Sequence, residues 1–116
     1  MIRPILWGLT GIALALGLVH LGLSLLAWRG GSLDVLWFAG SGLAIVLAGL
    51  INVAMMRART IDSVQRAVWF LSNLMTAAFF GAAWSVLPER QVIAGGVVFV
   101  ALVLGCMGTT SGRARA

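Results

Sequence analysis

Apolar positions along this chain gather into four long runs, near residues 5–28, 35–56, 64–87 and 91–107, and the stretches between them hold most of the charge. A helix rises 1.5 Å per residue and a bilayer's hydrocarbon core is about 30 Å thick, so a crossing takes about 20 apolar residues. Each run is close to that length. The pattern predicts an all-α fold: an antiparallel bundle of four transmembrane helices, forming a single integral membrane domain over residues 1–116.

Within the runs, small residues follow helical spacing. The second run is organised around Leu36 to Asn52, where Trp37, Gly40, Ser41, Ala44, Ala48 and Asn52 share one side and Gly42 and Gly49 lie near the other. In lipid, helices gain little by hiding leucine from leucine; they associate by close packing at small residues and by hydrogen bonds from groups such as Asn. Gly17, Gly40, Gly42, Ala44, Ala48, Gly49 and Asn52 are therefore the candidate helix-packing residues. In the first run, Thr10, Ala13, Gly17, His20, Ser24 and Ala27 form a protein-facing stripe, and Leu14, Leu18, Leu21 and Leu25 form the lipid side. Trp69, Asn73, Thr76, Ala77, Phe80 and Trp84 share a face of the third run. Ala94, Ala101, Gly105 and Gly108 make the small-residue stripe of the fourth.

The runs are punctuated by recognisable signals. The first helix is expected to start just after Pro4 and to end at Arg29, Gly30 and Gly31, with Ser32 or Asp34 capping the second. Asp62 followed by Gln65 reads as a capping box opening the third helix, and Pro88 stops it. Trp28 and Trp37 suit a headgroup boundary. Trp28 followed by Gly40 and Gly42 has a counterpart in Trp84 followed by Gly95 and Gly96, which raises the question of a repeated hairpin.

Composition agrees with the pattern: 61% of residues are hydrophobic and only 9% charged, against about 25% charged in an average soluble domain. The net charge of +5 bears on topology rather than on nucleic acid. Arg3, Arg57, Arg59, Arg66, Arg113 and Arg115 fall on one side of the expected membrane, whereas Arg29 and Arg90 are balanced by Asp34 and Glu89 on the other. The positive-inside bias then places both termini in the cytoplasm. The arginines of the short polar tail, residues 109–116, are expected to contact anionic lipid. Met1 to Arg3 before an apolar run has the outline of a secretory signal, but the run is long and lacks an A-x-A cleavage site, so it reads as a retained helix. Cys106, the single cysteine, has no partner for an internal disulfide and reads as a small packing residue at the inner end of the last helix.

Candidate chemistry centres on His20, the one histidine, because an ionisable group inside a span is a functional hypothesis by default. It lies about 12 Å below the outer end of its helix, at a depth similar to Ser41 and Thr76. With Asn73 these residues form a candidate polar intramembrane cluster: His20, Ser41, Asn73 and Thr76. Bonding to Ser41, to Thr76 or to a backbone carbonyl is the structural reading of His20. A haem or metal ligand, a quinone contact and a proton-responsive group are the functional ones. No pair of buried acids, no Ser-His-Asp spacing and no metal-ligand cluster is present, so the sequence argues against an enzyme and supplies neither a catalytic residue nor a metal or cofactor site. Small multidrug exporters carry a carboxylate within the first helix, whereas Asp34, Asp62 and Glu89 all fall at expected helix ends. The Gly-, Asn- and Phe-rich signatures of fluoride channels are not matched either.

Leu36-Trp37-Phe38, then Gly40-Ser41-Gly42-Leu43, then Gly49 and Asn52, with His20 in the preceding helix, resembles a group of small four-span bacterial membrane proteins. The resemblance covers mainly the first half and implies no activity. The leading expectation is an inner-membrane protein with a structural, accessory or assembly role, acting by helix–helix association. Its partners are the lipid bilayer and either another copy or a larger membrane protein, with no nucleic acid. The alternatives are a transporter or channel protomer with a polar path between helices, and a haem- or quinone-associated redox protein using His20.

Overall fold

The computed structural model describes residues 2–28 and 31–111, and these form four α-helices: α1 (Ile2–Ala27), α2 (Leu33–Arg57), α3 (Ser63–Val86) and α4 (Arg90–Ser111). All four are long and apolar enough to cross a membrane. Arg29 and Gly30 of the first turn, and Arg113 and Arg115 of the tail, lie outside the described residues.

Local chemistry sets the helix ends. The Ser32 side chain caps α2 by accepting from the Val35 amide at 3.2 Å. Gly31 enters that cap at φ +76°, a left-handed conformation that costs glycine nothing. The capping box is reciprocal: Asp62 Oδ1 accepts from the Gln65 amide at 2.7 Å, and Gln65 Oε1 accepts from the Asp62 amide at 3.0 Å. Two boundaries differ from expectation. α1 begins at Ile2, ahead of Pro4, because a proline in the first turn forfeits no intrahelical bond. α4 runs to Ser111 and so takes in the start of the expected polar tail. There Thr109 is helical and donates its hydroxyl to the Cys106 carbonyl at 2.8 Å.

α1 packs on α2 and α4, and α3 packs on α2 and α4, so the helices close a ring in chain order. The α1–α2 and α3–α4 pairs make the more extensive contacts. Outside, large apolar side chains dominate; Leu25 is 77% exposed and Val97 63%. Inside, Thr10, Ser24, Asn52 and Asn73 are buried among the core side chains. This polarity is the reverse of a water-soluble domain and leaves a surface that lipid would solvate.

Three of the four seams close at glycine. Between α1 and α2, a Cβ on Gly42 would stand 2.8 Å from His20 Cβ and 3.0 Å from the Leu21 amide nitrogen, and one on Gly17 would meet Val46. Gly49 receives Leu14 in the same seam. Between α3 and α4, Gly95 receives the Phe80 ring, which also stacks on Phe99 with centroids 5.9 Å apart. Between α1 and α4, Gly105 receives Leu6.

The buried positions also obey a repeat. In α2 they are Gly42, Ile45, Ala48, Gly49, Asn52 and Met56; fifty residues later in α4 they are Val92, Gly95, Val98, Phe99, Leu102 and Cys106. Leu6, Thr10 and Gly17 of α1 correspond to Trp69, Asn73 and Phe80 of α3, sixty-three residues on, whereas the buried Ala13 and Ser24 have no buried counterpart there. The two hairpins are thus built alike, at a register set by burial rather than by the tryptophan and glycine landmarks. Bulk has changed sides: in the first, Val46 of α2 meets Gly17 of α1, and in the second, Phe80 of α3 meets Gly95 of α4.

Gly42→Ala should cost about 1–3 kcal/mol through overpacking against backbone. Gly40→Ala, whose Cβ has nothing within 4 Å, should stay within about 0.5 kcal/mol of wild type. Unfolding of the two variants in mild detergent checks the pair.

Candidate functional site

The fourth seam, between α2 and α3, is held by polar side chains. Asn52 of α2 and Asn73 of α3 are 1% and 0% exposed, which in a dry interior obliges every amide atom to find a partner. They do so reciprocally. Asn52 Nδ2 donates to Asn73 Oδ1 at 2.8 Å, and Asn73 Nδ2 donates back to Asn52 Oδ1 at 3.1 Å. Trp69, one turn before Asn73, adds its indole: Nε1 donates to Asn52 Oδ1 at 2.7 Å. Asn52 Nδ2 also bonds the Ala48 carbonyl at 2.8 Å, so both lone pairs and both protons of the Asn52 amide are used. Asn73 Nδ2 reaches the Trp69 carbonyl at 3.0 Å and Cys106 Sγ at 3.5 Å. The set therefore ties α2 to α3 and touches α4.

The expected cluster of His20, Ser41, Asn73 and Thr76 is not joined by hydrogen bonds. His20 Nδ1 lies 3.1 Å from the Leu16 carbonyl, an acceptor, so this nitrogen carries the proton. The ring stacks on Phe38, with centroids 4.5 Å apart and planes 27° from parallel. Ser41 donates to the Phe38 carbonyl at 2.7 Å and Thr76 to the Ser72 carbonyl at 2.7 Å. Each satisfies itself on its own helix, and only Asn73 reaches across. Among the described residues no group of three or more His, Cys, Asp or Glu side chains could hold a metal ion.

The packing candidates divide. Gly17, Gly42, Ala48, Gly49 and Asn52 are buried inside the bundle, whereas Gly40 and Ala44 are exposed. Trp69 and Cys106 belong to the polar set and were not foreseen as part of it. A signal for Trp69 existed: Asn52 lies six residues before Ala58, and Trp69 seven after Asp62, which places both at one depth on either side of the same turn.

One buried side-chain oxygen among the described residues, Thr10 Oγ1, has no hydrogen-bond partner. In the repeat, Thr10 occupies the position of Asn73, and Leu102 that of Asn52. The first hairpin thus carries a hydroxyl where the second carries an amide, and the residue matching its partner is a leucine. Near Cys106 a hollow of about 360 Å³ opens between α3 and α4, lined by Ser63, Arg66, Ala67, Phe70 and Met107.

Asn52→Leu strands the Trp69 indole and half of the Asn73 amide and should cost about 2–4 kcal/mol, whereas Trp69→Phe, which removes one donor, should cost about 1 kcal/mol. Thr10→Val should be neutral or stabilising, since it deletes an unpartnered hydroxyl at nearly constant shape. Thermal unfolding in a single detergent ranks the three.

Comparison with protein-family models, with curated proteins and with solved structures finds no match to this chain.

Proposed function

We propose that this protein is a multi-pass inner-membrane protein with both termini in the cytoplasm. Its helices run antiparallel, and its role is structural, accessory or in assembly, exercised by helix–helix association with another copy or a larger membrane partner and without catalysis. The antiparallel order is supported by three contacts that pair early with late positions. Arg3 Nη2 donates to the Met56 carbonyl at 2.9 Å, Leu14 meets Gly49, and Leu6 meets Gly105. The cytoplasmic assignment rests on the arginine bias and on Arg3 lying beside the end of α2.

The observation that carries the functional reading is the division of α2. One face is consumed inside the bundle at Gly42, Ala48, Gly49 and Asn52, while Gly40 and Ala44 stay open. Small residues left uncovered on a lipid-facing helix are what close approach by another helix requires. The interior polar groups favour the same reading over a conducting path, because Asn52, Asn73 and Trp69 bond to one another and Ser41, Thr76 and His20 to their own helices.

Native mass in mild detergent tests it. Wild type should exceed the 12.2 kDa of one chain, Gly40→Leu should shift to single copies without loss of helix content, and proteoliposomes should leak protons and cations no faster than empty vesicles. A monomeric wild type that conducts would overturn the proposal.

A further inference from the structure

A groove of about 650 Å³ runs along the outer face of α3 and α4, lined entirely by apolar residues, among them Ala77, Gly81 and Trp84 of α3 and Ile93, Gly96 and Val97 of α4. The repeat explains why it is there. Ala77 and Gly81 hold the positions that Leu14 and Leu18 hold in the first hairpin, and Gly96 holds that of Val46. The first hairpin carries leucines on this face where the second carries Ala77 and Gly81.

We propose that the groove binds one acyl chain of an aminophospholipid whose zwitterionic headgroup sits at the α3–α4 turn against Glu89 and Arg90. This rests on the reading that the helices cross a bilayer. Length selects the occupant. Along α4 the lining extends from Val92 to Leu104, about 18 Å at 1.5 Å per residue, against about 15 Å for one leaflet of a 30 Å core. The hollow beside Cys106 is separate and carries Ser63 and Arg66, so the apolar groove ends short of the far boundary. A transmembrane helix would overrun it, whereas a chain from a single leaflet does not.

Charge selects the headgroup. At the open end, beyond Trp84, Glu89 and Arg90 are adjacent and exposed. Glu89 accepts from Gln91 Nε2 at 2.6 Å and keeps lone pairs for a further donor. The Arg90 guanidinium matches a phosphate, and the Glu89 carboxylate matches a primary ammonium. A phosphatidylglycerol headgroup offers Glu89 hydroxyl donors but no cation to match its charge.

The test is native mass spectrometry of the purified protein in mild detergent, with phosphatidylethanolamine and phosphatidylglycerol added at equal concentration. Wild type should retain one phosphatidylethanolamine several-fold more often than phosphatidylglycerol. Gly81→Leu fills the groove at a position whose Cβ has nothing within 4 Å, so it should fold normally and lose that retention several-fold; Gly11→Leu on α1, a position equally open, should keep it. Equal retention by Gly81→Leu and wild type would overturn the groove site, and phosphatidylglycerol retained as well as phosphatidylethanolamine would overturn the headgroup assignment. Alkaline carbonate extraction of membranes reads the bilayer-crossing premise separately: a protein that stays in the pellet yet fails the lipid test refutes the site alone.

Discussion

The reciprocal amide pair between Asn52 and Asn73, completed by the Trp69 indole, is the constraint on which the ring of helices depends. The α1–α2 and α3–α4 contacts are extensive and close at glycine, but α2 and α3 share the smallest contact and no glycine fit. In lipid, that seam has no hydrophobic force to hold it. It has instead two carboxamides that no water can satisfy, and each is the other's main partner. Separating the helices would expose both amides to hydrocarbon at once, so a small contact becomes a specific one.

Around this join the structure divides its work. Glycine lets backbones approach at Gly17 and Gly42, and it receives bulk at Gly49, Gly95 and Gly105. The shared burial register makes the two hairpins variations on one plan, with bulk exchanged between helices and the buried amides placed in one seam. The variation has consequences on the outside as well. Where the first hairpin has Leu14 and Leu18, the second has Ala77 and Gly81, and these line its groove.

Much of this was legible in the residues. Four helices of membrane-crossing length, the Asp62–Gln65 box and a cap at Ser32 or Asp34, which the structure places at Ser32, all follow from local chemistry, and local chemistry is short-ranged enough to read from sequence. The polar cluster was not, for a physical reason. Depth along a helix can be counted, but the direction a residue faces in the assembled ring cannot. Ser41 and Thr76 also have a local option, a carbonyl three or four residues back, which satisfies them without a neighbour. His20 takes the same option through Leu16. Asn52 and Asn73 use local carbonyls too, but a carboxamide has four bonding sites and one helix does not fill them. The division of α2 was equally hidden, since Gly40 and Gly42 look alike until the position of α1 is known.

A bundle whose buried amides join its own hairpins holds α2 and α3 through a few specific bonds. The most direct measurement is the coupling energy between Asn52 and Asn73, from the stabilities of wild type, Asn52→Leu, Asn73→Leu and the double variant. Coupled amides of one buried set should give more than about 1 kcal/mol, above the roughly 0.6 kcal/mol average for polar pairs between membrane helices. Strictly additive losses would mean that the two side chains act separately and that something other than this pair holds α2 to α3.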